Sequence, residues 1–223
     1  MPIKSLGNAK QRLGEALERG SRRSLVQAMF SDVLGALRRT QSIDAIAVVT
    51  DDVVADSLAR GDRVAVLADG AEAGQSHAAE IGIAYAAEHG FDRALLVPGD
   101  TPLINPVEIE ELLERCERDS VGVAIVPDRH GTGTNALVIA PPESFPPSFG
   151  PDSLERHLAS ARERGIVHCV ENVPSLALDV DTPADLSALW TAIDAQRRGA
   201  QRTRGTLAQF DRSGIRAALT VEA

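Results

Sequence analysis

Strand-length apolar runs alternate with helical periodicities along most of this chain, and that alternation constrains its fold more than any other feature. Ile43 to Val49, Arg63 to Ala68, Ala94 to Pro98, Val121 to Val126, Asn135 to Ala140 and Ile166 to Val170 read as strands. Between them, Ser24 to Leu37 places Leu25, Met29, Phe30, Val33, Leu34 and Leu37 on one helical face. Gln75 to Glu88 reads as a helix closed by His89-Gly90, Pro106 to Arg115 as one that opens on proline, and Ser153 to Arg164 and Pro183 to Ile193 as two more. Such alternation dictates an α/β fold with a mostly parallel twisted sheet and helices on both faces. The 223 residues supply one such domain and are too few for two. We place the domain at residues 1–195. An Arg-rich tail follows over 196–223, where Leu207, Phe210, Ile215 and Leu219 would form a short amphipathic helix. That helix would lie free or dock on a second subunit to make a homodimer.

Composition removes several classes of function. The net charge of −9 argues against a protein that coats nucleic acid. No apolar run approaches the ~18 residues of a membrane span. The start, Pro2-Ile3-Lys4, has no signal-peptide character, so the expected location is the cytoplasm. Cys116 and Cys169 fit no metal or redox spacing and read as buried thiols. His77, His89, His157 and His168 are scattered without zinc-ligand spacing, and only His130 adjoins a candidate loop. Trp190 reads as core packing for the last helix of the domain.

The basic residues are unevenly chosen. The only lysines, Lys4 and Lys10, lie within the first ten residues, and Arg12 follows; all other basic residues are Arg. A compact ammonium and a planar guanidinium together suit a triphosphate. The first strand would end near Ile3 and a helix begin near Ala9, so that loop amides and a helix start face an anion, with Gly7 permitting close approach. The loop is neither a Walker loop nor a dinucleotide fingerprint. The first strand reads as clipped, as if a few residues of a longer strand were missing ahead of Met1.

Two acidic segments suit a metal. Leu95-Leu96-Val97-Pro98-Gly99-Asp100-Thr101-Pro102 puts Asp100 just past an apolar strand, where open α/β sheets bind ligands. Carboxylate oxygen suits Mg²⁺, which pairs one or two carboxylates with substrate phosphates. In Asp179-Val180-Asp181-Thr182-Pro183-Ala184-Asp185, Thr182 reads as a helix cap with Asp185 closing the box. That leaves Asp179 and Asp181 on one side of an extended segment. We favour Asp179 as the partner of Asp100, with Asp181 engaged by the helix start. Two further loops offer anion seats: Gly131-Thr132-Gly133-Thr134, and Phe149-Gly150-Pro151-Asp152-Ser153 ahead of a helix.

Taken in this order, the motifs resemble the 2-phospho-L-lactate / phosphoenolpyruvate guanylyltransferases of coenzyme F-420 biosynthesis, from Pro2 to about Leu189. The resemblance implies a nucleotidyltransferase sheet of the glycosyltransferase-A type. It implies GTP as donor, Mg²⁺ held by Asp100 with Asp179 and Asp181, and Lys4, Lys10 and Arg12 on the triphosphate. It implies a small phosphorylated acid seated at Thr134, Gly150 and Ser153, and a product passed to a downstream transferase. An acceptor of that kind would be an ionised phosphate monoester that needs no general base. The helix start Gly74-Gln75-Ser76-His77, with Ser76 toward base and ribose, departs from the Leu-Asn-x-Ala associated with the family. Two other readings share some of these motifs: a metal-dependent nucleotidyltransferase acting on a sugar phosphate or molybdenum cofactor, and a catalytically inactive nucleotide-binding regulator.

Overall fold

Six strands in two sheets and seven α-helices form the body of the protein in a computed structural model, which describes residues 1–3, 6, 10–70, 74–196 and 198–216. Lys4 and Gly7 lie outside the described residues. In one sheet β1 (Ala47–Val49) runs parallel to β2 (Ala65–Leu67). The other has the order β3 (Ala94–Leu96), β5 (Thr134–Ile139), β4 (Val123–Pro127), β6 (His168–Val170). Here β5 is antiparallel to both β3 and β4, while β4 and β6 are parallel. Residues 1–3 lie beside β1, with the Ile3 amide donating to the Val49 carbonyl at 2.9 Å.

Side-chain alternation along the central strands separates two apolar layers. Val123, Ile125, Leu137 and Ile139 point to one layer with Ala79 and Ile83 of α3 (Gln75–Glu88) and Ala161 of α5 (Ser153–Glu163). Ala124, Val126, Ala136 and Val138 point to the other. There they join α1 (Arg19–Leu37), α4 (Pro106–Arg118) and α6 (Pro183–Ala195). The period of two in the strands thus meets helices on both faces, as the sequence pattern predicts.

The structure differs from the sequence reading in four elements. The helix expected near Ala9 is a short 3-10 turn, Gln11–Glu15, and the α-helix starts only at Arg19. The strand expected over Ile43 to Val49 is confined to its last three residues. A helix not anticipated, α2 (Val53–Gly61), is started by Asp52, whose Oδ1 accepts from the Val54 and Ala55 amides at 2.9 and 3.0 Å. The tail holds α7 (Gln201–Arg212), packed on α1 through Leu207 and Phe210.

Two local features aim the site. A Cβ on Gly99 would meet the tip of the Ile3 side chain, so glycine lets the chain leave β3 close past the N-terminal segment and deliver Asp100 without displacing it. The Val180 amide then donates to the Asp100 carbonyl at 3.2 Å, laying the 179–181 segment alongside.

Candidate active site

Lys10, Asp100 and Asp181 come from three distant segments and meet. Lys10 takes a left-handed backbone conformation, φ 58°, at the start of the 3-10 turn, and its ammonium pairs with Asp100 Oδ2 and Asp181 Oδ1. Burial alone would favour the neutral amine, but the two carboxylates outweigh it and hold Lys10 protonated well above its ordinary range. Asp179 lies in the same electrostatic neighbourhood. Burial raises its pKa first, the charge of Asp100 adds to the rise, and a hydrogen bond from Asn135 opposes it. The Asp181 carboxylate meets Lys10, and its amide serves the helix start, where it donates to Asp185 Oδ2 at 3.0 Å. Arg12 is exposed on the 3-10 turn.

The acidic segment is braced by Asn135, Asp185 and Arg129, of which the sequence reading singled out Asp185 alone. Asn135 on β5 donates from Nδ2 to the carbonyls of Leu176 and Ala177 at 2.8 and 3.1 Å and to Asp179 Oδ1 at 3.2 Å. Asp185 Oδ2 accepts from the Thr182 amide and hydroxyl, both at 2.8 Å, completing the capping box. Its other oxygen pairs with Arg129, which ties the acidic segment to the Gly-Thr loop. Asp185 foreshadowed its capping role at three residues from Thr182. Nothing in the sequence links Asn135 to a partner more than forty residues away.

The Gly-Thr loop is organised from within. Asp128 Oδ1 accepts from the amides of His130 and Thr132 at 3.2 and 3.0 Å, so those amides turn inward. A Cβ on Gly133 would come 2.7 Å from Asp128 Oδ2, which explains the glycine there. Thr134, nearly buried, is the loop's polar contribution at the strand edge. The second loop approaches it: the Leu154 amide donates to the Thr132 carbonyl at 3.1 Å. Gly150 has φ 111°, open to glycine and strained for other residues, and Ser153 is buried at the first turn of α5. Arg156 pins this loop from Nε to Ser148 Oγ at 3.0 Å and from Nη2 to the Ser148 and Phe149 carbonyls at 2.9 and 3.1 Å. Ser76 Oγ accepts from the Phe149 amide at 2.9 Å, joining the start of α3 to the same loop.

The donor set around Asp100 suits a hard cation. Asp100 Oδ1 is buried without a hydrogen-bond partner, and Asp100 Oδ2 and Asp181 already converge on one positive charge. Among the described residues no group of three or more His, Cys, Asp or Glu forms a closed metal cage. An open pair of carboxylates is the pattern expected of an ion whose remaining ligands are water and phosphate. Among the described residues no helix is long and apolar enough to cross a membrane.

The fold is that of the nucleotidyltransferases. Solved structures carry the same fold. A putative nucleotide-diphospho-sugar transferase from Desulfovibrio desulfuricans G20 superposes with a TM-score of 0.78 at 20% identity, covering 97% of this chain and 95% of that one. A nucleotidyl transferase from Methanothermobacter thermautotrophicus does so with a TM-score of 0.58 at 18% identity, covering 84% and 94%. The chain itself belongs to the guanylyl transferase CofC-like family, whose model matches residues 1–198. It is 47% identical to the phosphoenolpyruvate guanylyltransferase of Conexibacter woesei over 96% of each chain. It is 38% identical to that of Sphaerobacter thermophilus over 85% of this chain and 90% of the relative. Its identity to the 2-phospho-L-lactate guanylyltransferase of Methanothermobacter thermautotrophicus is 32%, over 85% and 82%. The family expected from the motifs is thus the family found.

Proposed function

We propose that this protein transfers GMP from GTP to a small phosphorylated acid and releases pyrophosphate, the activating step in coenzyme F-420 biosynthesis. Phosphoenolpyruvate ranks ahead of 2-phospho-L-lactate as acceptor, because the relatives at 47% and 38% identity bear the first name and the one at 32% the second. The observation that carries the reading is the meeting of Lys10 with Asp100 and Asp181, which joins the residues expected for triphosphate and metal in one place.

In the reaction, an oxygen of the acceptor phosphate forms a bond to the α-phosphorus of GTP. The bond from that phosphorus to the oxygen bridging to the β-phosphate breaks, and its electron pair leaves with pyrophosphate. The acceptor oxygen is already ionised, so the chain's task is positioning and charge neutralisation. Lys10, with Arg12 and Lys4, neutralises the triphosphate and the charge that develops on the leaving group. Thr134, Gly150 and Ser153 receive the phosphorylated acid, and Ser76 couples the nucleotide side of the cleft to the acceptor loop through Phe149. Asp100, with Asp179 and Asp181, would hold Mg²⁺, which supplies further neutralisation of phosphate oxygens.

Identification of the product by ³¹P NMR tests the reading. With Mg²⁺, GTP and phosphoenolpyruvate we expect the paired resonances of a new phosphoanhydride joining GMP to the acid. Product from CTP or UTP with a sugar phosphate, and none from GTP with either acid, would replace it.

A further inference from the structure

His157 has no place in the chemistry described so far, yet it sits at the meeting point of the two acceptor loops. It lies on α5 one turn after Ser153, and its side chain is completely shielded from solvent. Its Nε2 lies 2.8 Å from the Ser148 amide and its Nδ1 lies 2.9 Å from Thr134 Oγ1. The backbone amide can only donate, so Nε2 must be the lone-pair nitrogen. The ring proton of the neutral imidazole is therefore on Nδ1, and it points at the Thr134 oxygen. The Phe145 and Phe149 rings flank the imidazole at centroid distances of 5.9 and 5.5 Å, the latter edge-on. Burial among them, with the charge of Arg156 as a lesser cause, lowers its pKa to about 4, so the neutral ring persists at neutral pH.

A hydroxyl that accepts from a histidine keeps its own proton for another partner. We propose that His157 is a positioning residue for the acceptor: its Nδ1–H holds the Thr134 hydroxyl so that the hydroxyl proton is free to donate to an anionic oxygen of the phosphorylated acid. The same ring fixes the Ser148 end of the loop that carries Gly150 and Ser153, so one side chain sets the spacing of the whole acceptor seat. This selects an acid that presents a hydrogen-bond acceptor at Thr134. The proposal rests on the reading of Thr134 as part of the acceptor seat.

Two measurements test it. Imidazole ¹⁵N shifts of the unmutated full-length protein near pH 7 should report a neutral ring at position 157 with its proton on Nδ1. A proton on Nε2, or a charged ring, would overturn the proposal whatever the variants do. Steady-state kinetics should then show that His157→Gln raises KM for phosphoenolpyruvate on the order of tenfold to a hundredfold, the range for a hydrogen bond to a charged group, with KM for GTP unchanged. His157→Asn, which keeps a donor near the Nδ1 position, should recover part of that loss. In a Thr134→Val background the His157→Gln change should add little, because Gln keeps an acceptor near the Nε2 position for the Ser148 amide and what is lost acts through one hydroxyl. If Thr134→Val raises KM for the acid while His157→Gln does not, the positioning role fails and the acceptor seat stands. If Thr134→Val leaves KM for the acid unchanged, the acceptor seat itself is misplaced and the proposal falls with it.

Discussion

His157 and Lys10 sit in environments far from what their chemistry would choose in water, and each departure has a consequence. The imidazole is held neutral by burial, from its ordinary 6.5 down to about 4. Between those values the unfolded chain binds a proton that the folded chain does not. Stability is therefore undiminished above pH 6.5 and falls as the pH drops toward 4, by on the order of 3 kcal/mol at the lower end. We expect thermal unfolding of wild type to show this slope between pH 6.5 and 4 and His157→Gln to flatten it; parallel slopes in the two proteins would contradict the assignment. Lys10 is the opposite case, a buried cation kept charged by Asp100 and Asp181. The sequence singled out Lys10 because lysine is rare in this chain, and Asp100 because it lies just past an apolar strand; the structure brings the two together. The brace around them was not. Asn135, Asp128 and Arg129 drew no role from the sequence, since what they do depends on partners brought close only by folding. His157 looked scattered because its partners, Thr134 and Ser148, lie 23 and 9 residues away.

Among elements, those with local punctuation were read most closely. Helix α3 runs over Gln75–Glu88 as expected, and α6 opens with the Thr182 and Asp185 capping box and Pro183. Most strand lengths were overestimated, β5 being the exception, because an apolar run records burial and the ladder ends earlier than the burial does. Strand direction was not legible either: β5 returns antiparallel between β3 and β4, and side-chain alternation is the same in both directions. Helix α2 escaped notice because it is short and exposes Val53, although Asp52 was a usable start signal. Asp52 serves two elements at once, since its other oxygen accepts from the Leu6 amide at 2.9 Å in the N-terminal loop. Removing it as Asp52→Ala should cost about 1 kcal/mol for the cap alone. In a chain of this size that lowers Tm by roughly 2–4 °C. An unchanged Tm would show that neither α2 nor the loop leans on this carboxylate.

At the scale of the whole molecule, the tail and the sheet meet through α1. Asp32 on α1 accepts from the amides of Arg202 and Thr203 at 3.1 and 2.7 Å, capping the start of α7. Phe210 meets Trp190 of α6 edge-on at 6.5 Å, and the Arg216 guanidinium lies 5.8 Å over the same indole. The amphipathic pattern through Leu207 and Phe210 was visible in the sequence, and its surface within this chain was not. The overall charge of −9 gives meaning to the local basic group, because a triphosphate entering an acidic protein needs cations at the cleft. The central claim is that guanylyl transfer takes place where Lys10, Asp100 and Asp181 converge. Its most direct test is the rate of pyrophosphate release, with Mg²⁺, GTP and phosphoenolpyruvate, by wild type and by folded Lys10→Met and Asp100→Asn proteins. The account predicts release that requires both substrates in wild type and falls on the order of 10²–10³-fold in each variant. Release unchanged in either variant, or none from wild type with GTP and either acid, would contradict it.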